Sequence, residues 1–332
     1  MALRDYIQPL KAPVFSLRKI ALLTGAGFSK DCGGFLSDEM WAWIFNSAEV
    51  QGQPNVAATL RDETDYEIVY SRVHTGPGFD AKDRLAISAA VRRAYLLQDD
   101  AIRNFRGNSP RLREFVSIFQ GQTANERGYF FTLNQDAFVE RHFRQLDLHY
   151  PGVPKHRASF NGFAPYRGDM IAISSGGDVD MAAREDCAIG GKLHYVKLHG
   201  SLNWRSNAGD GVMIIGTQKD RLINGEELLR YYSLLFARVL KETKILCVIG
   251  YSFRDDHINE TLVNAIQNHA LALCVISAAS ASHFRQSLKN CAGRHAGALL
   301  SGLAAYFPWS VKQLLLEEGH PARSELQRVL TA

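Results

Sequence analysis

His199, Asn134 and Asp136 are side chains whose type and setting suit proton transfer and the holding of hydroxyl groups. His199 follows an apolar run in LHYVKLHGSLNW, Leu193 to Trp204. Imidazole has an ordinary pKa near neutrality, which makes it a natural proton acceptor. Asn134 and Asp136 close the run YFFTLNQD, Tyr129 to Asp136. An amide carries both a donor and an acceptor and so can orient a water or a hydroxyl group. The third group is LLTGAGFSKDCGG, Leu22 to Gly34, where an apolar run enters Gly25, Gly27, Ser29 and Gly33. Gly25 and Gly27 can adopt positive φ, backbone without Cβ lets a phosphate come close, and free N–H groups at the start of a helix favour an anion, so this turn points to a dinucleotide. The third glycine of the usual G-x-G-x-x-G is replaced by Lys30. A fourth group is KILCVIGYSFRDD, Lys244 to Asp256, with Gly250, Ser252, Asp255 and Asp256 beyond the apolar run. Asp255 and Asp256 fit a place in the site and fit equally the cap of a helix starting near His257.

Four strands must position these groups. Ile20–Leu23, the run before Asn134, the run before His199 and Ile245–Ile249 are short and apolar, as strands buried in a parallel sheet are. Polar residues gathered at the carboxyl ends of such strands mark the ligand crevice of an open α/β sheet. Between the first two groups the spacing predicts helices. Ser37 or Asp38 caps one that carries Met40, Trp41, Ile44 and Phe45, and Leu112, Phe115, Val116 and Phe119 form a stripe that stops at Gly121. His74 to Asp80, HTGPGFD, reads as a loop. Tyr150 to Gly191 is irregular and rich in Gly and Pro, which fits a substrate lid, a β-insertion or an oligomer contact. After Ser280, Phe284–Gly302 and Ser310–Leu330 read as helices without chemistry of their own.

Taken in order, G-A-G-x-S-x-x-x-G, T-x-N-x-D (Thr132, Asn134, Asp136), His199-Gly200 and Gly250-Tyr251-Ser252 resemble the motif series of the Sir2 superfamily. The likeness is greatest to the bacterial Sir2-like group with K-L-H-G-S-L-N-W and G-Y-S-F-x-D-D, here Lys197–Trp204 and Gly250–Asp256. The resemblance implies an α/β fold, a Rossmann-like parallel sheet with helices on both faces, plus a helical insertion. The expected organisation is a Sir2-like NAD-binding domain from residues 1–36 and 122–280, a helical insertion over the site at 37–121, and a C-terminal helical extension at 281–332. It implies that NAD is bound as substrate by Gly25, Ala26, Gly27, Phe28 and Ser29, by Asp136, Gly200 and Ser201, and by Gly250, Tyr251 and Ser252. Asn134 and His199 would be catalytic. Cleaving nicotinamide from NAD develops positive charge on the ribose, so the site must hold the sugar, place a nucleophile and manage one proton.

The implied activity is NAD+ glycohydrolysis to nicotinamide and ADP-ribose, in an effector of bacterial antiphage defence that depletes NAD. Such an effector must stay silent until triggered, through homo-oligomer assembly or a companion such as a HerA-like ATPase, an Argonaute or a nucleotide-binding sensor. An NAD-dependent protein deacylase or ADP-ribosyltransferase stays open, as does a non-catalytic NAD or ADP-ribose sensor. Two departures bear on the deacylase alternative. Gly34, Phe35, Leu36, Ser37 and Asp38 stand where deacylases carry I-P-D-F-R, and the five cysteines (Cys32, Cys187, Cys247, Cys274, Cys291) include no C-x-x-C pair. A zinc ribbon needs such pairs, so no metal is expected. Cys247 and Cys274 lie within apolar runs and read as small buried hydrophobes.

The hydrophobic share of 46% marks a globular chain, and 332 residues are long for one compact core. The net charge of +4 comes without a dense basic run. Arg84, Arg92, Arg93, Arg103, Arg106, Arg111 and Arg113 are spread through helical sequence, as on a solvated face, with a nucleic-acid or partner surface as the alternative. No apolar run reaches the ~18 residues of a membrane span. The opening MALRDYIQPLKAPVF lacks a secretory core and cleavage site, so a cytoplasmic protein is expected.

Overall fold

The computed structural model describes residues 16–107, 109–143, 146, 148–151, 171–173, 193–206 and 211–331. Most of the irregular Tyr150–Gly191 segment, together with Cys187 and the first fifteen residues, lies outside the described residues.

The central sheet is parallel throughout. Its strands are β1 (Ser16–Leu17), β2 (Ile20–Thr24), β3 (Glu126–Thr132), β4 (Leu148–His149), β6 (Leu193–Lys197), β9 (Ile245–Ile249), β10 (Ala272–Ile276) and β11 (Leu303–Phe307). A small second sheet holds β5 (Ile171–Ala172), β7 (Gly200–Arg205) and β8 (Gly211–Met213). The order of the large sheet is β11-β10-β9-β2-β3-β6-β4, with β1 paired to the start of β3. The four strands expected to carry the site are thus neighbours, β9-β2-β3-β6, in register so that Thr24 lies beside both Ile249 and Thr132, and Thr132 beside Lys197. Their carboxyl ends fall on one line. The Rossmann-like expectation is borne out.

Alternation along β3 shows why helices must cover both faces. Phe130 meets the ring of Phe28 edge-on, while its neighbour Phe131 meets Phe236, which lies on the helix Glu227–Glu242. Successive side chains of a strand point to opposite faces, so apolar residues at both positions need cover on both sides. Cys247 and Cys274 are buried, adjacent partners in β9 and β10, as their sequence setting indicated.

The helices over 37–103 form a lobe with a core of its own, including Met40, Ile44, Val50, Leu60, Val69, Ile87 and Val91. Leu202 of β7 and Ile215 join that cluster, so the lobe is docked on the small sheet. The helix Ser37–Phe45 begins one residue after its N-cap Leu36, whose N–H donates to the Glu39 carboxylate at 2.8 Å. Neither Ser37 nor Asp38 is therefore the cap. The helix Ser109–Ser117 packs with the main core through Leu112, Phe115 and Val116. Past residue 280 the sheet continues. β11 pairs with β10, and Leu299, Phe307, Leu314, Leu326 and Leu330 are part of the main core. This stretch completes the sheet; it is not an extension beside it.

Candidate functional site

A cavity of about 630 Å³ lies between the helical lobe and the carboxyl ends of the four central strands, within the usual range for a small-molecule site. Gly25, Ala26, Asn134, Asp136, His199, Gly250, Tyr251 and Ser252 line it. Four separate stretches of sequence are thereby brought to one place. Gly27, Phe28, Ser29, Gly200 and Ser201 do not line it and support it from behind.

Ser29 holds the β3 end. Its hydroxyl donates to the Asp136 carboxylate at 2.8 Å and accepts from the Asn134 amide at 3.3 Å, while Asp136 also accepts the Phe138 N–H at 2.9 Å. Asn134 thus has its NH₂ fixed, which leaves its carbonyl oxygen for a ligand. Beneath the loop, the Lys197 ammonium is fully buried and donates to the Asp136 carbonyl and, at 2.9 Å, to the buried Glu140 carboxylate. The motif lysine thus fastens the loop; it is not a cavity residue.

The glycines act differently from the sequence reading. Neither Gly25 nor Gly27 has positive φ, and their N–H groups are not free. Gly25 donates to the Ile249 carbonyl at 2.9 Å and Gly27 to the Gly250 carbonyl at 3.0 Å. Two loops meet here, backbone to backbone. A Cβ on Gly27 would stand 2.7 Å from the Gly250 Cα, and Gly250 itself has φ +62 with the Gly27 backbone 2.4 Å from any Cβ. Overpacking at such a contact costs about 1–3 kcal/mol. Gly27→Ala is accordingly expected to lose about that much stability in urea denaturation, without any ligand present. Unchanged stability would show that this contact is not what requires glycine. Phe28 is a core residue packed edge-on against Phe130, Phe138 and Phe143.

His199 sits in the turn between β6 and β7. Its carbonyl accepts from Ile214 N at 3.0 Å, and Gly200 (φ +74) makes the reversal possible, with the Val212 carbonyl only 2.2 Å from any Cβ there. Ser201 is buried and donates to Asn203 at 2.7 Å. The His199 ring is also buried, and burial pushes its imidazole down to about 3. It is therefore neutral at physiological pH and able to accept a proton. Its Nε2 lies 3.2 Å from Nε2 of His257.

Sequence reading missed several of the groups around it. Lys219 bridges Asp255 at 2.6 Å and Glu67 of the helical lobe at 2.8 Å. Burial opposes the charge on Lys219, but the two carboxylates hold its ammonium above the usual range. Burial works against the Asp255 carboxylate too, yet His199 and Lys219 hold it down at about 2. Asp255 is the N-cap position of the helix Asp256–His269 but makes no side-chain cap bond; it lines the cavity and its carboxylate pairs with Lys219. The loop that presents it is pinned by Tyr251, whose hydroxyl receives Asp255 N–H at 3.2 Å, and by Asn259, whose amide donates to the Phe253 carbonyl at 2.7 Å. Phe253 is held at φ +58, a strained value for a side chain of this size. His257 directly succeeds the strand-end motif and is legible there. Lys219 stands in TQKDR, where no pattern marks it.

Donor atoms of His199, Asp255 and His257 lie within 4.8 Å of one another, a spacing at which a cation has to be considered. The positive charge beside Asp255 is that of Lys219. No helix among the described residues is long and apolar enough to cross a membrane.

Residues 128–292 match the SIR2-like domain family, which supports the Sir2 superfamily for this chain. Among solved structures, two Sir2 homologues in complex with ADP-ribose, a histidine-to-asparagine mutant and a serine-to-alanine mutant, are similar. Each has a TM-score of 0.44 and 13% identity, covering 100% of this chain and 97% of the other. No curated protein matches the sequence.

Proposed function

From the SIR2-like match of residues 128–292, we propose that the chain is an NAD+ glycohydrolase that releases nicotinamide and ADP-ribose. The observation that supports this most is the meeting of Asn134, His199, Ala26 and the Gly250–Ser252 loop around one cavity. In this reading the Asn134 carbonyl oxygen orients the ribose and the attacking water, and neutral His199 takes the proton. The water oxygen bonds to the ribose carbon as the bond to nicotinamide breaks, and the electron pair leaves with nicotinamide. The lobe residues Tyr66, Tyr95 and Gln98 supply further lining of the cavity.

The test is chromatography of NAD+ incubated with the purified chain, alone and with its genomic neighbour. Nicotinamide and ADP-ribose without any acyl-lysine or acceptor present support hydrolysis. Release only with an acyl-lysine or acceptor would indicate a deacylase or transferase, and NAD+ left intact in every assembly state would indicate a sensor. A role in antiphage defence, self-assembly and control by a companion protein belong to the same proposal.

The proposed chemistry runs without a metal. None of the five cysteines forms a paired spacing, and the Asp255 carboxylate is already balanced by Lys219. Elemental analysis of protein prepared without chelators is expected to show no stoichiometric zinc. One tightly held zinc per chain would overturn that expectation.

A further inference from the structure

We propose that His257 is a second proton-handling residue of this site, which receives from His199 the proton taken off the attacking water and passes it by way of Asp220 to solvent. The inference rests on the hydrolase reading and names a residue that reading does not use.

Two imidazole nitrogens 3.2 Å apart share one hydrogen, so one ring donates and the other accepts. With Nε2 of His199 committed to His257, Nδ1 is the His199 nitrogen left for the substrate. The other ring nitrogen of His257, Nδ1, lies 3.7 Å from the Asp220 carboxylate, which is 73% exposed. Buried His199, half-buried His257 and exposed Asp220 therefore form a graded path from cavity floor to water. Titratable groups from three directions face His257. Asp255 and Asp256 come from its own loop and helix, Lys219 and Asp220 from the helix Lys219–Gly225, and His199 from the β6–β7 turn. Burial makes a lasting positive charge on this pair costly, and Lys219 adds to that cost against the opposing pull of Asp255.

Burial makes His199 a poor store for a proton, so a base in this position works best when it hands the proton on. As the water attacks, His199 Nδ1 gains its proton and the Nε2 hydrogen moves to His257 Nε2. The hydrogen on His257 Nδ1 then leaves to Asp220 or to water. One water is consumed and one proton released for each NAD+ cleaved, and no oxidant or reductant is needed.

The experiment has two arms on the full chain. In the first, His257→Phe keeps a ring and removes both nitrogens. It is expected to lower kcat for NAD+ cleavage by about 10²-fold, with KM little changed and much of the rate restored by added imidazole. Asp220→Asn is expected to lower kcat only severalfold, since water can take its part. Parental kcat in His257→Phe, or a loss that imidazole does not touch in a folded protein, would overturn the relay. In the second arm, nitrogen-15 spectra of the imidazoles are recorded without substrate. The His199 Nε2 signal is expected to shift between the parent and His257→Phe. An unmoved signal overturns the pairing whatever the substrate. A parent that leaves NAD+ intact but shows the shift overturns the hydrolase reading and not the imidazole pair.

Discussion

His199→Ala is expected to lower NAD+ turnover by about 10²- to 10⁴-fold while leaving the fold intact, the usual worth of a positioned acid–base group. The residue lies in a turn after β6, outside the apolar run that builds the sheet, and its backbone bond to Ile214 does not depend on the side chain. Asn134→Ala is expected to fall in the same range, because it removes the carbonyl oxygen that Ser29 and Asp136 hold in place. The double mutant should lose less than the product of the two single losses, since groups that serve one transition state act as a unit. The check is steady-state kinetics in the active assembly state, with circular dichroism and urea denaturation to confirm folding. A folded His199→Ala protein that still consumes NAD+ at the parental rate would show that His199 is not the base of the reaction.

Lys197→Met is expected to cost about 3–5 kcal/mol of stability, the range found when one member of a buried ion pair is removed. Lys197 and Glu140 are both fully enclosed, and the ammonium also carries the Asp136 carbonyl. Without it a carboxylate stays buried with its partner gone, and the loop bearing Asn134 and Asp136 loses its anchor. Lys197→Met combined with Glu140→Leu should recover much of the loss, since no charge is then stranded in the core. Urea denaturation of the two proteins measures this. A single mutant within about 1 kcal/mol of the parent would show that the pair does not hold the loop.

Much of the sheet was readable because its central strands are buried on both faces and so appear as unbroken apolar runs. β11 was not. Its residues Leu303–Phe307 are apolar, but they follow the helix Ala296–Ser301 with only Gly302 between, so the short run does not stand apart from the helical stretch before it. The start of the helix Ser37–Phe45 was misread by a residue or two because Glu39 closes its first turn through the backbone of Leu36, a bond that leaves no capping residue in the sequence.

The sequence by itself determined which residues would stand at the strand ends. Asn134, Asp136, His199, Gly250 and Ser252 each come just after a strand-length apolar run, and parallel packing of such runs sets the residues beyond them on one line. Tertiary structure alone decided what those residues face. Glu67 of the lobe, Lys219 of the helix Lys219–Gly225 and the ring of His257 converge on His199 and Asp255 only once the chain has folded. The role of Gly27 likewise depends on Gly250, far away in sequence, whose backbone fills the space a side chain would need. The physical reason is the range of the forces involved. Burial of a strand is set by its own composition, whereas an ion pair, a shared proton or a close backbone contact exists only between groups that folding has already brought together.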